Sequence, residues 1–472
     1  MSSSRPSRRD FLKAVSTAGA ATFALGASSA GAAAGGAAIA TAAVRPRGKG
    51  KSVMGLRAPA LDQVRCAMIG VGSRGMGSMQ ELLLLEGCQV RAICETHAPT
   101  LQRALGLVTR AQQPEALAFG NGPDDYKRML ARDDIDAVFI CTPWRDHVPQ
   151  AIATMRAGKH AFIEVPAAVT LEECWQLVEV AEETQRHCMM MENVNYGREE
   201  LMVLRMCREG VFGELLHGEA SYLHDLRSQM KHVDRGTGSW RTREHELRDG
   251  NLYPTHGLGP VAQYMNINRG DRFARVVSFS SPSLGMADYA EKNFPADHPR
   301  RKAKYICGDV NTAIIKTARG RTIMIQHSTM TPRPYSRHNL IQGTRGLFSG
   351  FPNRIYIEGR SPKEHTWEDE KDLGKYFAEF EHPLWTKVAE VAKKLPRERT
   401  RGHGGMDFVM RWRIIQCLRE GLPLDQDVYD AAAWSAIAPL TEQSVAQGGM
   451  PVDVPDFTRG AWTSATPLGI VS

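Results

Sequence analysis

The stretch from Gly70 to Gly75, GVGSRG, constrains the fold of this chain more than any other. It is a G-x-G-x-x-G pattern between the apolar run VRCAMIG and the helical pattern SMQELLLL. In a strand-to-helix turn of this kind, the first glycine (Gly70) permits a tight turn and the second (Gly72) lets the backbone approach a pyrophosphate. The third, Gly75, lets the helix pack on the strand. The pattern predicts a dinucleotide site at the helix N-terminus.

An acidic residue stands where such a site needs one. Glu95 lies 20 positions past Gly75, at the end of the second apolar run, CQVRAICE. A carboxylate there accepts a hydrogen bond from a ribose 2′-hydroxyl and repels a 2′-phosphate, so we expect NAD rather than NADP. The alternative is a glycine-rich turn in an α/β protein that binds another ligand.

Apolar runs continue to alternate with helical patterns up to residue 194. Further strands are predicted in DAVFICTP (136–143), HAFIEVP (160–166) and CMMMENV (188–194). This alternation predicts an α/β domain over residues 61–194, with a Rossmann-type, doubly wound parallel sheet. After about residue 200, longer strands with turn signals take over, including a hairpin that turns at Arg319-Gly320. We expect a second, α+β domain over residues 195–460, with an open antiparallel sheet and C-terminal helices.

The N-terminal 60 residues have a different composition. SRRDFLK (7–13) precedes a weakly apolar stretch rich in alanine and glycine. This order predicts a signal peptide over residues 1–43, and the paired arginines indicate the twin-arginine export machinery. The alternative is a disordered leader. Residues 44–60 are basic and lack an apolar period, as in a linker. We therefore expect an exported protein, periplasmic or secreted.

The location of the positive charge and the spacing of the cysteines bear on which partners and sites to expect. The first 60 residues carry nine Lys and Arg against Asp10, so they account for the formal net charge of +7 and the body is near neutral. A near-neutral body gives no reason to expect nucleic acid as a partner. The nine cysteines are scattered without a C-x-x-C pair, which predicts neither a disulfide framework nor a metal site. The oligomeric state stays open, and a homo-oligomer is compatible with the sequence.

A loop with proton-handling side chains follows in the second half. DGNLYPTHGLGPVAQY (249–264) places Tyr253 and His256 three residues apart. An imidazole with a pKa of about 6.5 exchanges a proton near neutral pH. The alternative is a helix N-terminus with a packed histidine. Trp144 follows the strand that ends in CTP. Its two interpretations are contact with a cofactor ring and an anchor at the interface between domains.

Four features together resemble the Gfo/Idh/MocA oxidoreductase family: the glycine turn, the C-T-P and E-x-P strand ends, and the antiparallel second domain. Members of that family bind NAD(P) and mostly oxidise or reduce sugars. Their usual E-K-P supplies a catalytic lysine, whereas this chain has Val165 in that position. A valine cannot shuttle a proton, so the resemblance does not imply an ordinary sugar dehydrogenase.

One branch resembles the chain more closely over roughly residues 60–450: glycosidase family 109, known for NAD-dependent α-N-acetylgalactosaminidase activity. The shared features are the twin-arginine leader, Val165, ENVNYGRE (192–199) and GNLYPTHGLGP (250–260). The resemblance assigns cofactor contacts to Ser73, Arg74, Glu95, Trp144, Arg145, Asp146, His147, Glu164, Val165 and Asn193. It assigns sugar contacts to Tyr222, Arg241, Tyr253, Pro254, Thr255, His256 and Tyr335.

The resemblance also implies a mechanism. NAD takes hydride from C3 of the sugar, the ketone acidifies the C2 proton, elimination expels the group at C1, and water and hydride then return. His256 is the expected base for the C3 hydroxyl. Tyr253 and Tyr196 are candidates for the second base or for polarising the ketone. A tyrosine base needs a depressed pKa, for which Arg241 is a plausible neighbour.

Two other functions remain open from sequence: a sugar oxidoreductase that releases NADH, and a non-catalytic exported sugar-binding protein. The loop RGHGGMDF (401–408) adds a further question. It either closes over the sugar with His403 or forms a glycine-rich turn into a helix capped near Asp407.

Overall fold

The structure is a computed structural model that describes residues 45–396, 400 and 402–469. The predicted signal peptide, residues 1–43, lies outside the described residues, as does Arg401 of the glycine-rich loop. Within the described part of the chain, no helix is long and apolar enough to cross a membrane.

The first sheet has six parallel strands in the order β3-β2-β1-β4-β5-β6. Its strands are β1 (Val64–Ile69), β2 (Cys88–Cys94), β3 (Leu117–Phe119), β4 (Ala137–Ile140), β5 (His160–Ile163) and β6 (Cys188–Met190). The helices between them are α1 (Ser73–Leu82), α2 (Ala98–Arg110), α3 (Tyr126–Leu130), α4 (Trp144–Arg156) and α5 (Leu171–Thr184). The predicted doubly wound Rossmann-type sheet is confirmed. Strand order reverses between β1 and β4, which opens a crevice at the carboxyl edge.

The last strand of this sheet ends earlier than predicted. β6 stops at Met190, and a 3-10 turn occupies Asn193–Tyr196. The Glu192 side chain starts that turn by accepting a hydrogen bond from the Val194 amide. The ENVNY segment therefore leaves the sheet at its carboxyl edge, where the other strand ends also lie.

The second sheet has nine strands in the order β14-β13-β12-β11-β7-β10-β9-β8-β15. They are β7 (Leu215–Leu223), β8 (Phe273–Ser280), β9 (Asn311–Thr317), β10 (Thr322–Ser328), β11 (Leu340–Gly343), β12 (Gly346–Ser349), β13 (Arg354–Ile357), β14 (Glu368–Asp369) and β15 (Val452–Asp453). The predicted hairpin at Arg319-Gly320 is confirmed as β9–β10. The sheet is mixed rather than wholly antiparallel, because β10 pairs with β7 in parallel. Helices connect β7 to β8. Strands β8, β9 and β10 then alternate in direction, which leaves β10 parallel to β7.

Nine helices of the described residues accompany this sheet. They are α6 (Arg198–Arg208), α7 (Thr237–Leu247), α8 (Thr255–Tyr264), α9 (Gly285–Asn293), α10 (Pro299–Lys302), α11 (Gly374–Phe380), α12 (Pro383–Ala392), α13 (Met406–Glu420) and α14 (Val428–Ala446). Helix α8 packs on β7 and α14 packs on β8. Two of the C-terminal helices also return to the first sheet's layer, since α13 packs on α1 and α14 on α5.

The described part of the predicted linker, residues 45–60, forms no helix or strand, yet it lies against α5. Arg45 pairs with Glu172 and Glu179, and Arg47 pairs with the buried carboxylate of Glu182. The Lys51 amide donates to the Glu182 carbonyl. These contacts dock the segment on the first domain.

Candidate functional site

The glycine turn has the geometry that a pyrophosphate needs. Gly70 has a φ of +80°, which a side chain would strain. A Cβ on Gly72 would meet no atom within 4 Å, so the backbone is open to a ligand there. A Cβ on Gly75 would lie 2.1 Å from the Gly70 carbonyl oxygen, which keeps α1 close to β1. Ser73 begins α1, whose N-terminus faces the crevice. These residues fit a bound dinucleotide.

Glu95 is buried at the end of β2, with both carboxylate oxygens held by the backbone. Oε2 accepts from the Val71 amide at 3.1 Å and Oε1 accepts from the His97 amide at 2.9 Å. Arg235, from the second domain, lies 3.6 Å from Oε1 and donates to the Thr100 hydroxyl. Arg235 was not selected from the sequence, since an arginine in a surface loop carries no local signal.

Two of the predicted cofactor residues, Arg74 and Asn193, converge on one carboxylate, that of Asp407. Arg74 donates to Glu164 at 2.7 Å and to both oxygens of Asp407 at 2.6 and 3.1 Å. The Asn193 amide donates to Asp407 at 2.7 Å. Asp407 lies in the first turn of α13, far along the chain. Tertiary packing brings Asp407 to the crevice. The sequence predicted only that a helix begins near it.

The four residues from Trp144 to His147 form the first turn of α4 and have different surroundings. Trp144 is buried, meets the Trp240 ring edge-on at 5.0 Å and stacks with Tyr253 at 5.7 Å. Arg145 makes a bidentate pair with Glu244, and Asp146 is exposed.

His147 is tied to the main chain. Its Nδ1 lies 2.8 Å from the Pro166 carbonyl oxygen and its Nε2 lies 2.8 Å from the Thr142 carbonyl oxygen. Burial lowers the pKa of His147. A neutral ring donates to only one of these two carbonyl oxygens. The ring lies between the loop after β4 and the loop after β5 and packs them together. Val165, in that second loop, is also buried.

The sugar-side candidates gather where α8 lies on β7. Gly257 allows the contact, because a Cβ there would lie 2.2 Å from the Ser221 amide nitrogen. Pro254 precedes α8, whose first residue, Thr255, is fully buried. The helix start brings His256 against Tyr222, with ring centroids 5.4 Å apart.

Tyr253 and Tyr335 extend this aromatic cluster. The Tyr253 ring lies 4.6 Å from Tyr222 and 4.9 Å from His256. Tyr335, 39% exposed, meets Tyr222 edge-on at 6.2 Å and forms the outer wall. The Arg241 guanidinium lies 5.3 Å from the Tyr253 ring centroid. Sequence positions 222 to 335 are thus brought into one aromatic and cationic site.

His256 is held by a buried acid. Its Nδ1 lies 2.6 Å from Oε1 of Glu192, whose side chain is 0% exposed. A carboxylate only accepts hydrogen bonds, so Nδ1 is the donor of this contact, and in the neutral tautomer Nε2 is left with a lone pair. Nε2 lies 3.5 Å from the Tyr253 hydroxyl. Glu192 was quoted in a motif but not selected as a site residue; its position directly after an apolar strand was the available signal.

The prediction that a tyrosine base at this site has a depressed pKa is wrong for Tyr253. Burial raises the pKa of Tyr253 well above its ordinary value, Tyr222 adds to the shift, and the nearby Arg241 charge only opposes it. Burial also raises the pKa of Tyr222. Both phenols therefore keep their protons near neutral pH and act as hydrogen-bond donors.

Tyr196 lies outside this cluster. It is buried, and its hydroxyl donates to Asp425 at 3.3 Å. Burial raises its pKa well above the ordinary value. It lines a different cavity, with His382 and Leu384. We correct its predicted catalytic role to a structural one: the 3-10 turn after Glu192 points the two side chains into different packing layers.

His403 lies beside Asp407, the carboxylate that Arg74 and Asn193 also contact. Its Nδ1 lies 2.8 Å from Asp407 Oδ2. Gly402–Gly405 form a short turn that leads into α13. Among the described residues, no group of three or more His, Cys, Asp or Glu side chains is arranged to hold a metal ion.

The two sheets and the glycine turn define an oxidoreductase-type fold with an NAD-binding Rossmann domain. Residues 64–192 match the oxidoreductase family with an NAD-binding Rossmann fold, and residues 196–464 match the C-terminal domain of glycosyl hydrolase 109. The chain belongs to glycosyl hydrolase family 109. It is an NAD-using glycoside hydrolase, as the resemblance predicted.

Relatives span nearly the whole chain. A glycosyl hydrolase family 109 protein of Shewanella sp. (strain W3-18-1) is 56% identical over 98% of both chains, and one of Shewanella baltica (strain OS155 / ATCC BAA-1091) is 56% identical over 98% of both. A levoglucosan dehydrogenase structure, in complex with NADH and L-sorbose, superposes with a TM-score of 0.63 at 19% identity. It covers 84% of this chain and 100% of the other. An NAD binding oxidoreductase from Klebsiella pneumoniae has a TM-score of 0.64 at 14% identity, covering 84% and 99%. These structures share the fold.

Proposed function

We propose that this enzyme hydrolyses N-acetylhexosaminides, and α-N-acetylgalactosaminides in particular, by transient oxidation at C3 and elimination across C1 and C2. The observation that carries the proposal is the His256 imidazole. Its Nδ1 is held by buried Glu192, and its side chain remains 14% exposed beside Tyr222 and Tyr253. This arrangement suits a base that faces a sugar hydroxyl.

Each residue has a distinct task in this scheme. His256 Nε2 takes the proton of the C3 hydroxyl, and Glu192 stabilises the imidazolium that forms. Bound NAD supplies a hydride acceptor that is restored at the end of the cycle. The Tyr253 hydroxyl, kept protonated by burial, donates to the C3 oxygen. A base then takes the C2 proton while the leaving group departs from C1 with a proton. Water adds at C1, C2 takes a proton back, and the hydride returns to C3.

One feature of the chain supports a glycosidase over a dehydrogenase that releases NADH. Val165 is buried in the position where a dehydrogenase of this fold has a lysine, so it supplies no proton. Elimination also needs no pair of carboxylates on either side of the glycosidic bond, unlike direct displacement.

The test is a panel of α- and β-linked nitrophenyl sugars, assayed on holoenzyme and on enzyme stripped of nucleotide. We expect nitrophenol release from an N-acetylgalactosaminide with no net NADH, and restoration of the stripped enzyme by NAD. Stoichiometric NADH would instead support a sugar oxidoreductase. Bound sugar without turnover would support a sugar-binding protein.

Isotopes at C2 test the elimination. Substrate that carries deuterium at C2 should show a primary isotope effect or lose deuterium to water, because the C2–H bond breaks. A direct displacement at C1 leaves that bond intact. Absence of both signals would therefore overturn the proposed pathway.

We also propose that the protein leaves the cytoplasm by the twin-arginine route. The paired Arg8 and Arg9 before an alanine-rich stretch support this. Replacement of both arginines by lysine should retain the protein in the cytoplasm of the host. Export of that variant at the unaltered rate would contradict the proposal.

A further inference from the structure

A groove of about 560 Å³ opens in the second domain, between the turn that follows β7, helix α9 and the loop after β10. This volume falls within the roughly 300–1,000 Å³ that small-ligand sites have. Arg227 and Pro332 line it, and they belong to the same two segments that carry Tyr222 and Tyr335 of the sugar site. We call it the outer groove.

The two shared segments are hydrogen-bonded to each other between the sugar site and the outer groove. Leu223 and Ser336 exchange two backbone hydrogen bonds of 3.0 Å, and the Asp225 amide donates to the Arg333 carbonyl at 3.3 Å. Tyr335, at one edge of this strip, forms the outer wall of the sugar site. A ligand that fills the sugar site and extends past Tyr335 is therefore led along the strip to the outer groove.

The outer groove is built on a packed floor. Met230, Met286 and Met330 are buried in one small apolar cluster, and Tyr289 of α9 packs against it. Gly285 allows α9 to approach the loop after β10, because a Cβ there would lie 1.9 Å from the Met330 carbonyl oxygen. The shape of the groove is thus set by packing within the second domain.

The charges in the outer groove are paired. Arg227 makes a bidentate pair with Asp225, with both distances 2.9 Å, and Lys292 donates to Asp288 at 2.9 Å. Each pair balances its own charge while its remaining donors and acceptors stay available to hydroxyl groups. These pairs suit a neutral ligand rich in hydroxyl groups.

The rim of the outer groove favours a sugar over a peptide. Asp309 accepts hydrogen bonds from the amides of Leu284 and Gly285 at 3.0 and 2.9 Å, whereas an extended peptide needs free main-chain groups along an edge. The Leu284 side chain is 67% exposed, and the Tyr289 ring has the Arg227 guanidinium 5.3 Å from its centroid. Leucine and tyrosine surfaces of this kind suit the C–H faces of a pyranose.

We propose that the outer groove binds the neutral sugars that carry the leaving group, so that the enzyme acts on the ends of oligosaccharides. The inference rests on the proposed function, in which C3 of the terminal sugar faces His256. The substituent at C1 then leaves the site on its open side, past Tyr335, which is 39% exposed. The outer groove touches no reacting bond, so it contributes to substrate binding.

Two substrates with the same terminal sugar test the outer groove. One is nitrophenyl α-N-acetylgalactosaminide, and the other is a trisaccharide of α-linked N-acetylgalactosamine on lactose. Tyr289→Ala should raise KM for the trisaccharide about tenfold through loss of an aromatic contact, with kcat unchanged. KM for the nitrophenyl sugar should stay at the wild-type value. Leu284→Ser, at an exposed position, should raise KM for the trisaccharide by a smaller factor.

A matched control is Leu216→Ser. Leu216 is also exposed, at 49%, but it lies at the opposite end of β7 from Tyr222. This variant should keep both KM values. The proposal is overturned if Tyr289→Ala and Leu284→Ser match the control, or if they raise KM for both substrates alike. If Tyr289→Ala does not fold, Leu284→Ser alone decides between these results.

A third substrate, a short glycopeptide in which serine carries the same sugar, separates a glycan from a peptide. An increase in KM for the glycopeptide but not for the trisaccharide would assign the outer groove to peptide and overturn the proposal. Wild-type enzyme that hydrolyses none of the three substrates would overturn the proposed function and the groove assignment with it. Hydrolysis by wild type with unaltered KM in both groove variants would reject the groove assignment alone.

Discussion

Oε1 of Glu192 lies 2.6 Å from Nδ1 of His256. This hydrogen bond joins the segment after the last strand of the Rossmann sheet to the first turn of α8, which packs on the second sheet. The proposed base therefore belongs to one domain and the carboxylate that orients it to the other. In the proposed mechanism, proton transfer at the sugar depends on how the two domains are packed.

Replacing His256 by alanine should lower kcat by roughly 10²–10⁴-fold, the range for loss of a general base. Bound nucleotide, measured by absorbance after denaturation, should stay at the wild-type level because the cofactor crevice is untouched. The acidic limb of the pH–rate profile should weaken with the base gone. A fully active variant would return the Tyr253–His256 loop to a packing role.

Glu192→Gln tests the orientation of His256. A glutamine amide can donate to Nδ1, which would move the imidazole proton to Nε2 and remove the lone pair that faces the sugar. We expect kcat to fall by about 10²–10⁴-fold, as when an orienting carboxylate is lost from a catalytic triad. Glu192→Asp, which keeps an acceptor, should recover part of the rate. An unaltered pH–rate profile in Glu192→Gln would refute the role.

Two tyrosines make a matched pair. Tyr253→Phe removes the hydroxyl that lies 3.5 Å from His256 Nε2 and should lower kcat with little change in NAD content. Tyr196→Phe removes the hydroxyl bound to Asp425. It should change the free energy of unfolding by about 1 kcal/mol and leave kcat at the wild-type value. Equal loss of kcat in both variants would contradict the separation.

Glu95→Ala should weaken NAD binding by about 2–4 kcal/mol, through loss of charge-assisted hydrogen bonds to the ribose. Arg235, 3.6 Å from Glu95, would then be free to receive a 2′-phosphate, so affinity for NADP should rise. Calorimetry with both nucleotides checks this. The double variant Glu95→Ala, Arg235→Ala should lose the gain for NADP; retention of that gain would exclude Arg235.

Buried His382 should make the free energy of unfolding decrease as the pH is lowered. Burial lowers its pKa from 6.5 to about 4. The unfolded chain takes up a proton below about 6.5 while the folded protein does not, so stability is lost as pH falls through that window, by up to about 1.4 kcal/mol per pH unit. His382→Asn keeps the acceptor for the Leu384 amide at the start of α12. Urea melts at pH 7.5 and 5 should show a smaller loss for the variant; identical losses would contradict this.

Local sequence patterns were sufficient to predict the main secondary-structure elements and the glycine turn of the dinucleotide site. The glycines from Gly70 to Gly75, the acid at Glu95 and the alternation of apolar runs specify a Rossmann sheet because each is a short-range requirement of strand, turn and helix. The β9–β10 hairpin followed from its turn residues for the same reason. Family resemblance further predicted NAD and glycosidase chemistry, and the comparisons confirmed both.

Only the tertiary structure determined which side chains contact one another in the site. Glu192 reaches His256, and Asp407 reaches Arg74, across 64 and 333 positions of sequence. Pairings at such separations have no local signal, because they arise only when two sheets pack and bring their edges together. The same packing buries Tyr253 enough to raise its pKa despite Arg241, and sends Tyr196 to Asp425. Burial depends on every neighbouring element, so a residue's own segment cannot determine its protonation.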